Sequence, residues 1–304
     1  MAATLAAARL MDLQPLFAAP IIEQYAYPAA YTDHTNDVWR IRTAHEVAVV
    51  RAPRPAAELD STFWRGCRHL FSLDPTQIAR LATTNALLAG LSPLPIPRVL
   101  RSGTVAGRQC LVVEHLPGET LHDLRTLPAA ALRELGAVIA RIHRQRFPWY
   151  GTLDGALQRQ LDDFHHDLAV TMRFLVKGFV GAEAPLAAPL EDFCALAMAL
   201  PAPTAAAPVM LDVDATQFLS DGVRITALVD TDAYAVAPRE LDFIGYEYEL
   251  DAPGAAAFAA GYRTHLPLPD LTAVRPVYRY LYRLMGTQGA VPLDEWLAWP
   301  SVFS

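Results

Sequence analysis

The stretch VMLDVDATQFL, Val209 to Leu219, is followed after seven residues by ALVDTDAY, Ala227 to Tyr234. Each begins with apolar residues typical of a short buried β-strand and continues into two aspartates that are two positions apart. Asp221-Gly222 lies between the stretches and favours a tight hairpin turn. Because aspartate is itself a common turn residue, both acidic pairs are also compatible with ordinary surface turns.

The alternative to a surface turn is a site that handles phosphate and a metal ion. Phosphoryl transfer needs one carboxylate that orients a hydroxyl and accepts its proton, and another that holds magnesium against the phosphates. A neutral amide oxygen can hold the same metal, since hard cations prefer oxygen ligands. Asp212, Asp230 and Gln217 have these chemistries, and residue type alone does not decide between the two interpretations.

Composition and charge exclude several classes of protein. The chain has 304 residues and is 53% hydrophobic, which predicts a globular protein large enough for one big domain or two lobes. A net charge of −7 argues against a nucleic-acid partner, which would need a basic face. The sequence shows no signal-peptide pattern and no apolar run long enough to span a membrane, so we expect a cytoplasmic protein without a membrane partner. Lys177 is the only lysine, so a role usually filled by lysine falls to it or to an arginine.

The chain divides into a strand-rich part and a helix-rich part. VWRIRT and EVAVVRA alternate in polarity and predict a hairpin, and a second strand pair is predicted around Gly107. A helix is predicted over residues 74–91, with Asp74 as its cap and Pro75 at its first position. After a break at residues 117–120 the apolar spacing is mainly helical. We therefore expect an α+β, two-lobed fold, with a small N-lobe over residues 1–116 and a larger helical C-lobe over 117–304.

These motifs resemble those of the aminoglycoside phosphotransferase and choline kinase family, which has the protein-kinase-like fold. MLDVDATQ aligns without a gap on that family's His-Gly-Asp-x-x-x-x-Asn loop, and LVDTDA and APRELDF match its two later aspartate segments. LGAVIARIHRQ is similar to its helix ending in Leu-x-x-Leu-His, whose histidine, His143, we expect to be structural. The resemblance implies the following roles: proton acceptor for Asp212, magnesium ligands for Gln217 and Asp230, and a structural role for Asp242.

The same resemblance implies a nucleotide site in the first part of the chain. NDVWRIRTAHEVAVVRAPRP is similar to the family's first hairpin, whose last basic residue meets the phosphates, which would be Arg51. LPIPRVLRSG and GRQCLVVEHLPGETL are similar to the segment that leads into the hinge. Backbone groups of Glu114 and Leu116 would then contact adenine. The implied cofactors are ATP and Mg²⁺.

Four positions depart from the family pattern. Met210-Leu211 replaces His-Gly, so the hydrogen bonds of that histidine must be replaced. Gln217 replaces asparagine and is longer by one methylene. Thr84 lies about where a helix glutamate usually pairs with the basic strand residue, which leaves Glu58 as the remaining candidate partner for Arg51.

The sequence therefore predicts an ATP- and magnesium-dependent phosphotransferase that acts on a hydroxyl of a small molecule. One alternative is a catalytically inactive, nucleotide-binding pseudo-enzyme of the same fold, and another is an unrelated magnesium-dependent hydrolase. An acidic protein suits a cationic acceptor, although net charge concerns steering and does not identify the acceptor. No signal for the oligomeric state is present. The acidic candidates for the acceptor pocket are Asp162, Asp163, Glu247, Glu249 and Asp251.

Overall fold

The computed structural model describes residues 11–28, 34–54, 61–181, 185–287, 289 and 291–303. The strands within these residues are β1 (Glu23–Ala26), β2 (Asn36–Arg42), β3 (Val47–Pro53), β4 (Val99–Val105), β5 (Arg108–Glu114), β6 (Glu119–Thr120), β7 (Trp149–Thr152), β8 (Gln158–Gln160), β9 (Ala207–Met210), β10 (Phe218–Ser220), β11 (Ile225–Leu228) and β12 (Tyr234–Ala237). The helices are α1 (Thr62–Phe71), α2 (Ala79–Leu91), α3 (Ala129–His143), α4 (Phe164–Leu175), α5 (Leu190–Ala199), α6 (Glu240–Glu249), α7 (Ala252–Tyr262), α8 (Arg275–Met285) and α9 (Leu293–Leu297).

The first part of the chain forms a five-stranded antiparallel sheet in the order β1-β2-β3-β5-β4. The predicted hairpin of β2 and β3 is confirmed, and its alternation buries Trp39 and Ile41 of β2 in an apolar layer with Val50 of β3. β4 and β5 are joined by Ala106 and Gly107, both at positive φ (48° and 77°). Positive φ at both positions gives the backbone twist that a two-residue hairpin turn requires, and glycine adopts it without strain.

Helices α1 and α2 extend from this sheet to the helical part of the molecule. α1 begins at Ser61, whose hydroxyl accepts a hydrogen bond from the Trp64 N–H, and it packs on α4 and α8. α2 packs on α3 and on β4. The apolar side chains of Trp64, Leu70 and Leu88 consequently lie in the large core of the helical part.

The predicted start of the second helix was wrong. α2 begins at Ala79 and not beside Asp74. Asp74 instead accepts hydrogen bonds from the Thr76 N–H (2.9 Å) and hydroxyl (2.7 Å), which closes a local turn. An aspartate that satisfies its carboxylate two residues further on favours a turn over a helix start.

The second part of the chain is mainly helical and contains two small sheets, ordered β8-β7-β12-β9 and β11-β10-β6. The hairpin of β10 and β11 turns at Asp221-Gly222, as predicted, and β6 joins its edge directly after the hinge. A small antiparallel sheet followed by a larger helical part confirms the predicted α+β architecture. In the described parts of the chain, no helix has the length and apolarity that crossing a bilayer requires.

Candidate active site

Sheet topology brings the two acidic stretches together. β9 and β12 are antiparallel neighbours, with Met210 opposite Tyr234, so the end of β9 lies beside the start of β12. The Leu211 N–H donates to the Ala233 carbonyl at 3.3 Å, and the Val229 N–H donates to the Gln217 carbonyl at 2.7 Å. The loop after β9 (211–217) therefore lies against the segment after β11 (229–233). The two are called here the catalytic loop and the metal loop, after the roles that the resemblance implies for them.

Gln217 contacts both loops. Its side chain is 5% exposed, and its amide lies 3.4 Å from Oδ2 of Asp212. On its other side the amide faces the backbone carbonyls of Asp230 (2.6 Å) and Val229 (3.2 Å). Because those two carbonyls can only accept, the amide nitrogen is assigned to them and Oε1 to the Asp212 side. The Gln217 nitrogen thus donates to the backbone carbonyls of Val229 and Asp230, while its oxygen lies close to the Asp212 carboxylate without a hydrogen bond to it.

Asp230 adopts an uncommon backbone conformation and leaves its side chain accessible. Its φ is +52°, in the left-handed region, where aspartate is one of the few non-glycine residues found. Its side chain is 51% exposed, and Oδ1 accepts a 2.7 Å hydrogen bond from Nη2 of Arg51. Such conformations are found at functional sites when the surrounding structure holds them in place.

Arg51 lies on β3 and crosses from the first sheet to the metal loop. It is 9% exposed, and the same Nη2 that bonds Asp230 lies 2.7 Å from Oδ2 of Asp232. Asn36, at the start of β2, donates to that Asp232 oxygen at 2.8 Å. Burial works to lower the pKa of Arg51, but Asp232 and Asp230 outweigh it and raise that pKa. Burial raises the pKa of Asp232, Arg51 opposes the rise, and the nearby Asp230 charge adds to it.

The sequence did not identify Asp232 or the way in which α2 is attached. The acidic pair at 230–232 is visible in the sequence, but the family motif gives a role only to its first aspartate. Asn85 of α2 accepts a hydrogen bond from the Thr231 hydroxyl and donates to the Pro97 carbonyl at 2.7 Å. Glu58, the alternative partner considered for Arg51, lies outside the described residues.

Glu114 is the last residue of β5, and Leu116 lies two positions after it. The Glu114 N–H donates to the Arg98 carbonyl at 2.9 Å, and its side chain pairs with the Arg98 guanidinium at 3.0 Å. The Glu114 N–H is therefore already used within the protein. Leu116 is half-buried and precedes the Pro117-Gly118 break.

A buried layer supports the catalytic loop from behind. His143, at the end of α3, bonds Oδ2 of Asp242 at 3.0 Å and the Tyr262 hydroxyl at 2.9 Å. This agrees with the structural roles that the sequence predicted for His143 and Asp242. Gly245 of α6 lies so close to the loop that a Cβ built there would be 2.7 Å from Val213. The loop that carries Asp212 is thus packed directly on α6.

One candidate for the acceptor pocket was wrong. Glu247 is fully buried and pairs with Arg279 at 2.8 Å and with Arg275 at 3.2 Å. Its charge is neutralised inside the helical core, where it anchors α8. Asp251 caps α7 by accepting from the Gly254 N–H at 2.8 Å. Asp162 and Asp163 are exposed.

The side chains near the two loops supply oxygen donors of the kind that magnesium prefers. Asp212, Asp230 and Gln217 supply oxygen donors, and Mg²⁺ usually takes one or two carboxylates and completes its shell with water and phosphate. In the described part of the chain, no cluster of three or more His, Cys, Asp or Glu side chains could hold a metal by itself. The residues therefore fit a magnesium ion that arrives with a nucleotide better than a permanently bound metal.

Comparisons with known proteins identify a family and similar solved structures. The chain matches the phosphotransferase enzyme family over residues 30–277. Among solved structures it resembles the macrolide 2'-phosphotransferase MphH from Brachybacterium faecium, with a TM-score of 0.60 and 16% identity over 94% of this chain and 90% of that one.

Two further solved structures match this chain with the same TM-score. A fructosamine-3-kinase homologue from Haemophilus somnus has a TM-score of 0.60 and 14% identity over 92% of this chain and 91% of that one. A point mutant of aminoglycoside 2'-phosphotransferase-IIIa bound to GDP has a TM-score of 0.60 and 15% identity over 94% of this chain and 89% of that one. No curated protein matches the sequence significantly. Since the family match covers most of the chain, the protein belongs to the phosphotransferase enzyme family and has its protein-kinase-like fold.

Proposed function

We propose that the protein transfers the γ-phosphate of ATP, in the presence of Mg²⁺, to a hydroxyl group of a small molecule. The observation that supports this best is the position of Gln217, whose side chain contacts Asp212 and faces the backbone of Asp230. Two residues of the catalytic loop, Asp212 and Gln217, therefore lie beside the backbone of Asp230 in the metal loop, and the resemblance assigns all three to one reaction. A pair of unrelated acidic turns would not require this contact.

Each residue would have a distinct role. Asp212 would orient the acceptor hydroxyl and take its proton. Asp230 and the Gln217 oxygen would hold magnesium, which neutralises charge on the phosphates. Arg51 would contact the phosphates, and the Glu114 carbonyl and the Leu116 backbone would contact the base. Residues 1–116 would cover the nucleotide, and residues 117–304 would supply the catalytic loop and the acceptor site.

Similar structures suggest which acceptors to try. Two phosphotransferases of this fold have been solved with hygromycin B and with spectinomycin, and others are macrolide phosphotransferases. Nucleotides bound in such structures include ADP, AMP-PNP and GDP. Aminoglycosides, macrolides and ketosamines are therefore the first acceptor classes for this protein, with ATP and GTP as donors and the cytoplasm as the proposed location.

A second candidate is a nucleotide-binding protein of the same fold without transferase activity. Two observations favour it. Arg51 already neutralises Asp230, and Met210-Leu211 replaces the family's His-Gly. Membership of a phosphotransferase family argues against the unrelated magnesium-dependent hydrolase.

Thermal unfolding with ATP, with Mg²⁺ and with both separates the candidates when it is combined with an acceptor screen. Ligand at a hundred times its Kd stabilises by about 2.7 kcal/mol, which is a rise of roughly several degrees for a chain of this size. A magnesium-dependent ATP shift with phosphate transfer to an acceptor supports the enzyme. A shift without transfer to any acceptor class supports the inactive protein, and no shift with ATP or GTP contradicts both.

A further inference from the structure

Arg51 is a buried cation whose partner in the family pattern is a glutamate of the helix that corresponds to α2. In this protein α2 supplies no carboxylate. α2 contains no acidic residue, and Thr84 of that helix lines the same crevice as Asp232. A buried charge requires a partner of opposite sign, since desolvation is otherwise too costly. In the described residues, the carboxylates on Arg51 both come from the metal loop.

The two carboxylates on Arg51 differ in their surroundings. Asp230 is 51% exposed at its side chain, whereas Asp232 is 14% exposed and also accepts from Asn36. Asp230 can therefore turn to a ligand in solution without leaving a buried group unsatisfied. Asp232 has no such freedom, because two donors from neighbouring strands of the first sheet hold one of its oxygens.

We infer that Asp232 is a positioning residue, which keeps Arg51 in place when Asp230 turns to a magnesium-bound nucleotide. This inference rests on the proposed function. A divalent cation at Asp230 takes one negative partner from Arg51 and adds positive charge beside it, and at this distance the charges repel strongly in a partly buried site. The negative charge of Asp232 offsets that repulsion, so the guanidinium stays directed toward the phosphates.

Helix α2 is attached to the same loop by a neutral hydrogen bond and to the segment after β7 by an ion pair. The Thr231 hydroxyl donates to Asn85, and Arg80 at the start of α2 pairs with Asp154 at 2.5 Å. The helix is thus held by Asn85 and Arg80, while Arg51 is held separately by Asp232. Holding α2 and holding Arg51 are thus separate tasks of two neighbouring residues. Thr231 contacts α2 through Asn85, and Asp232 pairs with Arg51.

The test compares Asp232→Asn with Asp232→Glu in the full-length protein, by measuring Kd for Mg-ATP, KM and kcat together with the unfolding midpoint without ligand. Asp232→Asn keeps the shape but removes the charge, so we expect Mg-ATP binding to weaken by about tenfold or more and KM to rise more than kcat falls. Asp232→Glu retains the charge and should recover most of the affinity. Asp74→Asn is the matched control, since it removes a carboxylate from the same crevice without touching Arg51.

A second variant tests whether a negative charge beside Arg51 is sufficient, whichever element supplies it. Thr84→Glu in the Asp232→Asn background supplies a carboxylate from α2, and we expect it to restore Mg-ATP binding at least partly. The inference is overturned if Asp232→Asn binds Mg-ATP as wild type does. It is also overturned if Asp232→Asn and Asp232→Glu lower the unfolding midpoint and the Mg-ATP affinity equally, because the role of Asp232 would then be structural. If wild type itself binds no nucleotide, the proposed function fails together with this inference, which is a different result from a normal wild type with an unaffected variant.

Discussion

Nε2 of His143 lies 3.0 Å from Oδ2 of Asp242, and neither side chain is more than 2% exposed. This contact ties the end of α3 to the first turn of α6, directly behind the strand that leads into the catalytic loop. Burial raises the pKa of Asp242, while the hydrogen bond from His143 and the Met210 backbone oppose the rise. A buried polar contact therefore lies behind the strand that leads to Asp212.

Removing His143 should destabilise the protein more than neutralising its partner. His143→Ala leaves the Asp242 carboxylate buried without this donor, which costs about 3 kcal/mol or more. Asp242→Asn keeps an acceptor for His143 and leaves no buried charge, so its cost should be smaller. Urea unfolding at neutral pH measures both, and an Asp242→Asn variant less stable than His143→Ala would contradict this account.

Asp212→Asn should abolish most of the transfer while nucleotide binding is retained. A general base contributes about 10²–10⁴-fold to the rate, and asparagine cannot accept the proton. Single-turnover kinetics with a confirmed acceptor measure the loss, and the thermal shift with Mg-ATP reports binding. Asp214→Asn is a suitable control, since Asp214 caps the short turn that follows by accepting from the Thr216 N–H at 2.7 Å, and asparagine caps equally well. Equal kcat in the Asp212 variant and wild type would remove Asp212 from the mechanism.

Gly245→Ala should disturb the catalytic loop from a distance. The added methyl group would meet Val213 at 2.7 Å, so either α6 or the loop must shift. We expect a loss of about 1–3 kcal/mol in stability from the overpacking. A displacement of about 1 Å at Asp212 would lower kcat by roughly a hundredfold. In contrast, Gly90→Ala in α2 meets no atom within 4 Å and should be neutral or slightly stabilising. Wild-type kcat in Gly245→Ala would show that the loop is not held by this contact.

Asp154 should make stability depend on pH in the acidic range. Burial opposes its ionisation, but hydrogen bonds from Arg80, Thr152 and the Ala156 N–H outweigh burial and lower its pKa from 3.8 to about 2. A depressed pKa in the folded state contributes stability above the unfolded value, and that stability is lost as the pH falls through about 4 toward 2. Asp154→Asn should therefore cost about 2 kcal/mol at pH 7, and the difference from wild type should shrink below pH 4. Arg80→Gln should behave in the same way in urea unfolding, and a difference that is constant with pH would exclude this origin.

Much of the fold followed from local patterns. The β2–β3 hairpin, the turn at Gly107 and the helices over 129–143 and 275–285 have periodicity and turn residues that determine them locally. The start of α2 could not be predicted, because an aspartate before a proline fits a helix cap and a side-chain-closed turn equally well. Glu247 was misplaced for a different reason, since nothing near it in the chain shows that two arginines of α8 neutralise it.

By itself, the sequence determined the family, the α+β architecture, and which residue types could carry the chemistry: Asp212, Gln217, Asp230 and Arg51. Motif order and spacing are properties of the chain, and they are visible without coordinates. Only the tertiary structure decided what these residues touch. Arg51 is paired with residues 179 and 181 positions away. The partners of a buried charge are set by which strands and loops meet in space, and no local pattern in the sequence specifies them.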